Sequence, residues 1–121
     1  MKMYSKKHQW VDLKGETARM GITEYAAKQL GDIVFVELPA IGEQVTGGDS
    51  IAMVESVKSS SEIYTPVSGE VLSVKEELND APELLNSDPE GEVWIAELKV
   101  VNIKELDALM TKEEYLANLS N

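Results

Sequence analysis

Residues 51–74 read IAMVESVKSSSEIYTPVSGEVLSV, and the rest of the chain is arranged around them. Ile51 and Met53 alternate with small or polar residues up to Glu55. Ile63, Val67, Val71 and Val74 supply a returning side, punctuated by Pro66 and Gly69. Two short alternating runs separated by small polar residues predict a β-hairpin. Its tip holds Lys58, with serines at 56, 59, 60 and 61. From Gln29 to Val74 this is the one basic residue, against seven acids: Asp32, Glu37, Glu43, Asp49, Glu55, Glu62 and Glu70. A lysine so placed is either a solubilising turn residue or a handle presented to a modifying enzyme.

Working outward, Pro39-Ala-Ile-Gly-Glu43 recurs as Pro66-Val-Ser-Gly-Glu70, at an offset of 66 − 39 = 27. An apolar run precedes each proline and a Val-containing run follows each Gly-Glu. Such a repeat predicts two related half-sheets packed face to face, with the Lys58 hairpin at one end. Upstream, HQWVDLK (8–14), Gly15 and ETARMGI (16–22) predict a first hairpin, with His8 in its leading strand. Thr23 is a candidate cap, Glu24 suits a first helical turn and Gly31 a stop, so EYAAKQL between them reads as a helix. Asp32 to Leu38 (DIVFVEL) is the most β-forming run and is expected in the core, ended by Pro39. Gly47-Gly48-Asp49 forms a turn into Ile51.

Downstream, a strand is expected from Glu70 to Glu77, broken by Asn79-Asp80-Ala81-Pro82, with a helical turn over PELLN. Asp88 to Gly91 reads as a turn. Residues 93–101, VWIAELKVV, read as a last strand with Val93, Ile95 and Val101 on one face. From Lys104 the pattern turns helical, with Leu106, Leu109 and Met110 sharing a face. Thr111 and Glu114 form a capping box for a second short helix lined by Tyr115, Leu116 and Leu119. These helices are expected to cover the sheet.

The 121 residues suit one domain, 1–121, and 11 basic against 22 acidic residues give a net charge of −11. That balance disfavours nucleic acid and anionic membrane. No cysteine and a single histidine leave no thiol chemistry and no multi-histidine metal centre. MKMYSKKHQWVD has no apolar run behind its charges, and no stretch approaches the roughly 18 apolar residues of a membrane span, so the cytoplasm is expected. There is no G-x-S-x-G elbow and no phosphate loop, so no self-sufficient active site is expected and the chain is read as a non-enzyme. A free lysine is neutral in about one copy in 2,500 at pH 7 and does not attack unaided. Acylated by another enzyme, Lys58 would carry a long arm whose chemistry the chain's own side chains lack.

VESVKSSSEIYTPVSGEV strongly resembles the lipoylation hairpin of the glycine cleavage system H-protein family. The likeness continues in Tyr4–Trp10, Gly21–Tyr25, Leu30–Pro39, Pro82–Asn86 and Trp94, in that family's order, and spans residues 4 to 119. The resemblance implies a mainly β, lipoyl-domain-like barrel-sandwich hybrid with added short helices and a C-terminal helical cover. It makes Lys58 the lipoyl-lysine, with Glu55, Ser56, Val57 and Ser59 read by the lipoate ligase or octanoyl/lipoyl transferase. It implies a monomeric shuttle that carries an aminomethyl group from glycine decarboxylase (P protein) to aminomethyltransferase (T protein). Dihydrolipoamide dehydrogenase (L protein) re-oxidises the arm. His8, Gln9 and Glu62 become the contacts of the loaded arm. The family usually has Ser-His-Glu-Trp where this chain has Lys7-His8-Gln9-Trp10. Gln9 thus lacks a negative charge and Lys7 adds a positive one, which leaves Glu62 as the charged contact. A lipoate relay outside glycine cleavage, a biotinyl carrier and an unmodified interaction module are the alternatives. The biotinyl family wants Met on both sides of its lysine. Lys58 has Val57 and Ser59, and Met1-Lys2-Met3 lies at a terminus expected to fray.

Overall fold

The computed structural model describes residues 1–119; the last two residues of the expected domain lie outside them. The chain opens with β1 (Lys2–Tyr4), β2 (Gln9–Lys14) and β3 (Thr17–Ile22), then α1 (Glu24–Leu30) and β4 (Ile33–Glu37). Next come β5 (Gln44–Val45), β6 (Ser50–Ser56), β7 (Ser60–Tyr64) and β8 (Gly69–Val74). Helical turns α2 (Glu77–Asp80) and α3 (Leu84–Ser87) lead to β9 (Ala96–Val100), a 3-10 helix (Ile103–Ala108) and α4 (Lys112–Leu119). Among the described residues these strands form two antiparallel sheets, β1-β2-β3-β9-β8-β5 and β4-β6-β7. Val11, Met20, Ile22, Val36, Val54, Val71 and Leu98 are buried in one apolar core that draws on both sheets.

The repeat is the crossover between the sheets. Each copy follows a strand of the small sheet, β4 or β7, and feeds one of the large sheet, β5 or β8. The copies also pair with each other. Gln44 stands opposite Glu70, and the Val71 amide donates to the Glu43 carbonyl at 2.9 Å. Adding the offset turns one pair into the other (43 + 27 = 70, 44 + 27 = 71), so the two copies meet across a local two-fold axis.

Several expectations need correction. The hairpin returns only as far as Tyr64; Thr65 Oγ1 donates to the Val67 carbonyl at 2.6 Å, and the turn so closed sends Val71 and Val74 into the other sheet. Residues 32–38 are not all core. A register shift between Ile33 and Phe35 turns consecutive side chains outward, leaving Val34 52% and Phe35 47% exposed. The strand from Glu70 stops at Val74, and Glu77 lies in α2. The last strand begins at Ala96, and Val101 is 68% exposed beyond its end. Met1-Lys2-Met3 does not fray: Lys2 pairs with Asp12 and Met3 with Val11, which adds a third strand to the first hairpin.

The C-terminal cover forms as a 3-10 helix capped by Asn102 and then α4, with Thr111 and Glu114 exchanging the two bonds of the capping box. Leu116 does not join the buried side and is 49% exposed, because α4 packs through Tyr115 instead. Tyr4 and Met110 exchange backbone hydrogen bonds of 2.8 and 2.7 Å, and Tyr4 stacks on Tyr115 with ring centroids 5.2 Å apart. Trp10 completes this second cluster, donating from Nε1 to the Pro89 carbonyl at 2.7 Å.

Candidate functional site

The tip between β6 and β7 is shaped by serine. The Ser56 amide donates to the Ser59 carbonyl at 2.8 Å, and Ser56 Oγ accepts from the Lys58 and Ser59 amides at 3.2 Å each. Serine and its relatives bond their own backbone a few residues on, so such a tip holds its form without a buried side chain. The Val57 amide donates to the Asp32 carbonyl at 3.0 Å, which ties the tip to the end of α1. Lys58 itself is exposed and lies against Gly31. A Cβ at Gly31 would stand 2.9 Å from Lys58 Cε. The residue closes α1 with φ 79° and ψ −149°, a conformation essentially confined to glycine, so helix stop and lysine cradle are one position.

Beside the tip opens a cleft of about 290 Å³. Its walls are the turn before β2 (Lys7, His8) and the first residue of β2 (Gln9), one side of α1 (Tyr25, Gln29) and β7 (Glu62). Helix α1 is held there by Thr23, whose Oγ1 accepts from the Ala26 amide at 3.3 Å, and by Glu90, whose Oε2 accepts from the Glu24 amide at 2.8 Å.

His8 stands in the turn and not in the strand, with φ 71°. Its ring lies against Tyr25 with centroids 4.6 Å apart. Nδ1 is 2.7 Å from the Tyr115 hydroxyl, which is 2.7 Å from Thr23 Oγ1. Burial lowers the His8 pKa and favours the neutral ring. Burial also raises the Tyr115 pKa, against a smaller opposing effect of the Thr23 hydrogen bond, so its hydroxyl keeps its proton. Thr23 Oγ1 already accepts from Ala26. Assigning protons so that no buried donor is orphaned makes Thr23 donate to Tyr115 and Tyr115 donate to His8 Nδ1. Nε2 then carries the ring's own N–H.

The family model described as glycine cleavage H-protein matches residues 2–121. The chain belongs to the glycine cleavage H-protein family. Members of this family are lipoate-bearing, non-catalytic carriers of the glycine cleavage system. Among similar proteins, the glycine cleavage system H protein of Phenylobacterium zucineum is 50% identical over 118 residues, covering 98% of each chain. That of Beijerinckia indica is 53% identical over 112 residues, 93% of this chain and 90% of its own. A crystal structure of a glycine cleavage system H protein from Mycobacterium marinum superposes with a TM-score of 0.90 at 33% identity, covering 99% of this chain and 97% of that one. Among the described residues no helix is long and apolar enough to cross a membrane.

Within this H-protein fold the residues singled out from sequence fall into two adjoining groups. Glu55, Ser56, Val57 and Ser59 surround Lys58 on the tip, with Glu55 opposite Ser60 in the ladder. His8, Gln9 and Glu62 line the one cleft, although more than fifty residues separate the first two from Glu62 in the sequence. Gln9 is 3% exposed and its amide is engaged inside the turn: Oε1 accepts from Ser5 Oγ at 2.6 Å and Nε2 donates to the Lys7 carbonyl at 3.0 Å. Sequence reasoning did not find Gly31 as a cradle, Tyr115 as the partner of His8, or Tyr64 beside Glu62. Gly31 showed only as a helix stop and Tyr115 only as apolar periodicity, since neither contact is local.

Proposed function

We propose that lipoate is carried on Lys58 in amide linkage to Nζ, and that the cleft beside it receives the arm. When bound, lipoate supplies a dithiol that takes up a one-carbon amine and gives it up again. The chain's own part is to hold, orient and shield. The serine-built tip presents the exposed Lys58 to a lipoate ligase or octanoyl/lipoyl transferase, which reads Glu55, Ser56, Val57 and Ser59. Gly31 leaves room for the lysine stem to lie against the end of α1. There His8 offers a neutral N–H donor and Glu62 a carboxylate, while Tyr25 and Ile63 exclude water from the walls. In this reading the partners are glycine decarboxylase, aminomethyltransferase and dihydrolipoamide dehydrogenase, met in turn by one monomeric carrier domain, 1–121, in the cytoplasm.

One observation supports the reading: an exposed lysine lies against Gly31 on a tip whose next residues, Ser59 to Glu62, line the cleft together with His8 and Gln9. Exchange of labelled bicarbonate into glycine by purified glycine decarboxylase is the test. The lipoylated chain supports the exchange and Lys58→Arg, taken through the same lipoylation, does not. Equal exchange with both proteins would refute it.

A further inference from the structure

Lys7 and Glu62 are the charged residues that line the cleft among those described. Lys7 Nζ sits over the ring of Tyr64, 4.3 Å from its centroid, and the Tyr64 hydroxyl donates to Glu62 Oε2 at 3.4 Å. An aromatic face beside a carboxylate is a seat for a cation, because the ring quadrupole and the negative charge attract the same ligand. The turn that delivers Lys7 is fixed on its other side: the Gln9 amide holds the Lys7 carbonyl at 3.0 Å, and His8 is anchored to Tyr115 at 2.7 Å. Lys7 is therefore poised over this seat by the same turn that forms the cleft wall.

We infer that Lys7 is a built-in competitor for the cleft: its ammonium lies over Tyr64, whose hydroxyl reaches Glu62, and the amine cargo of the arm must displace it from that seat. This rests on the reading of Lys58 as the lipoyl-lysine and of the cleft as the place the arm docks. One seat cannot hold two ammonium groups, since their mutual repulsion in a partly enclosed site disfavours double occupancy. Lys7 thus sets how readily a loaded arm lets go. With the arm elsewhere, Lys7 covers the seat; with the arm docked, Lys7 waits in solvent and competes for its return. Removing the competing charge shifts the balance of the loaded arm toward the docked state by about two- to fivefold, the factor that a cation–π contact at an exposed site supplies.

The test follows the Lys7 side chain by NMR in the full chain, unmodified, lipoylated, and lipoylated with its aminomethyl cargo. Stacked on Tyr64, the Lys7 ε-methylene protons carry an upfield ring-current shift in the first two forms and lose it in the third, while the amides of His8, Gln29 and Ile63 move. Tyr64→Leu abolishes the shift in every form and assigns it. Lys7→Gln raises the docked-to-undocked ratio of the loaded arm two- to fivefold, read from the cleft amide shifts, and Lys7→Arg restores the parental ratio. Movement of the cleft amides with the Lys7 shift unchanged, or a parental docked-to-undocked ratio in Lys7→Gln, would overturn the competitor role and leave docking intact. Loading that moves none of those amides would overturn the docking reading itself, and the competitor with it.

Discussion

The His8 imidazole and the Tyr115 hydroxyl meet at 2.7 Å across 107 positions of sequence. Helix α4 thereby reaches the wall of the cleft, and Thr23, the cap of α1, is joined to it at 2.7 Å through the same hydroxyl. The turn before β2, the cap of α1 and helix α4 are held in one short hydrogen-bonded chain.

Tyr115→Phe removes that hydroxyl and leaves the ring. The buried Thr23 hydroxyl then lacks an acceptor and His8 lacks its anchor. An orphaned buried polar group costs about 1–3 kcal/mol, so urea unfolding at neutral pH shows a loss of that size with an unchanged m-value.

Acid acts through His8. Burial depresses its pKa in the folded chain below the usual 6.5, so between those two values the unfolded chain binds more protons. Stability is therefore lost as pH falls from about 6.5 toward the folded pKa, and above about 6.5 the residue contributes no slope. His8→Asn tolerates the φ of 71° and does not titrate. The difference in melting temperature between parent and His8→Asn narrows or reverses in favour of the variant between pH 7.5 and pH 5.5.

Gly31→Ala places a Cβ where φ is 79° and ψ −149°, and 2.9 Å from Lys58 Cε. The lysine stem can shift, so the cost is the backbone's, roughly 1–3 kcal/mol. Denaturant midpoints report that loss, and hydrogen exchange quickens at Val57, whose amide is tied to Asp32 next door.

Glu90 joins three parts of the molecule. Its Oε1 accepts from Tyr4 at 3.1 Å and Lys112 at 3.3 Å, and its Oε2 accepts from the Glu24 amide at the start of α1. Burial and the nearby Glu90 charge raise the Tyr4 pKa, so that phenol stays a donor. Glu90→Ala removes charge-assisted bonds of which the half-buried Tyr4 one contributes most, and costs about 1.5–3 kcal/mol. Exchange protection in the first turn of α1 falls with it.

How much of this was legible depended on how local each cause was. Thr23, Gly31 and the Thr111–Glu114 box act within one helical turn, and the structure agrees with the sequence at each. The Pro-x-x-Gly-Glu repeat pointed to two half-sheets, because like segments build like crossovers; that the copies pair with each other needed the register of Gln44 with Glu70. Val34 and Phe35 read as core because composition cannot show a bulge. Lys58 stood out by charge isolation alone, and the resemblance gave it a cofactor. The cleft was invisible from pattern: Lys7, Tyr25 and Glu62 lie on three elements whose meeting is decided by packing.

The intact mass of the chain purified from its native cell tests the central claim most directly. A lipoyl adduct is expected on the parent protein, and its absence is expected from Lys58→Arg expressed in the same cell. A lipoyl mass that persists in Lys58→Arg, or a parent chain that carries no adduct while the cell's other lipoyl proteins do, would contradict the assignment of Lys58 as the point of attachment.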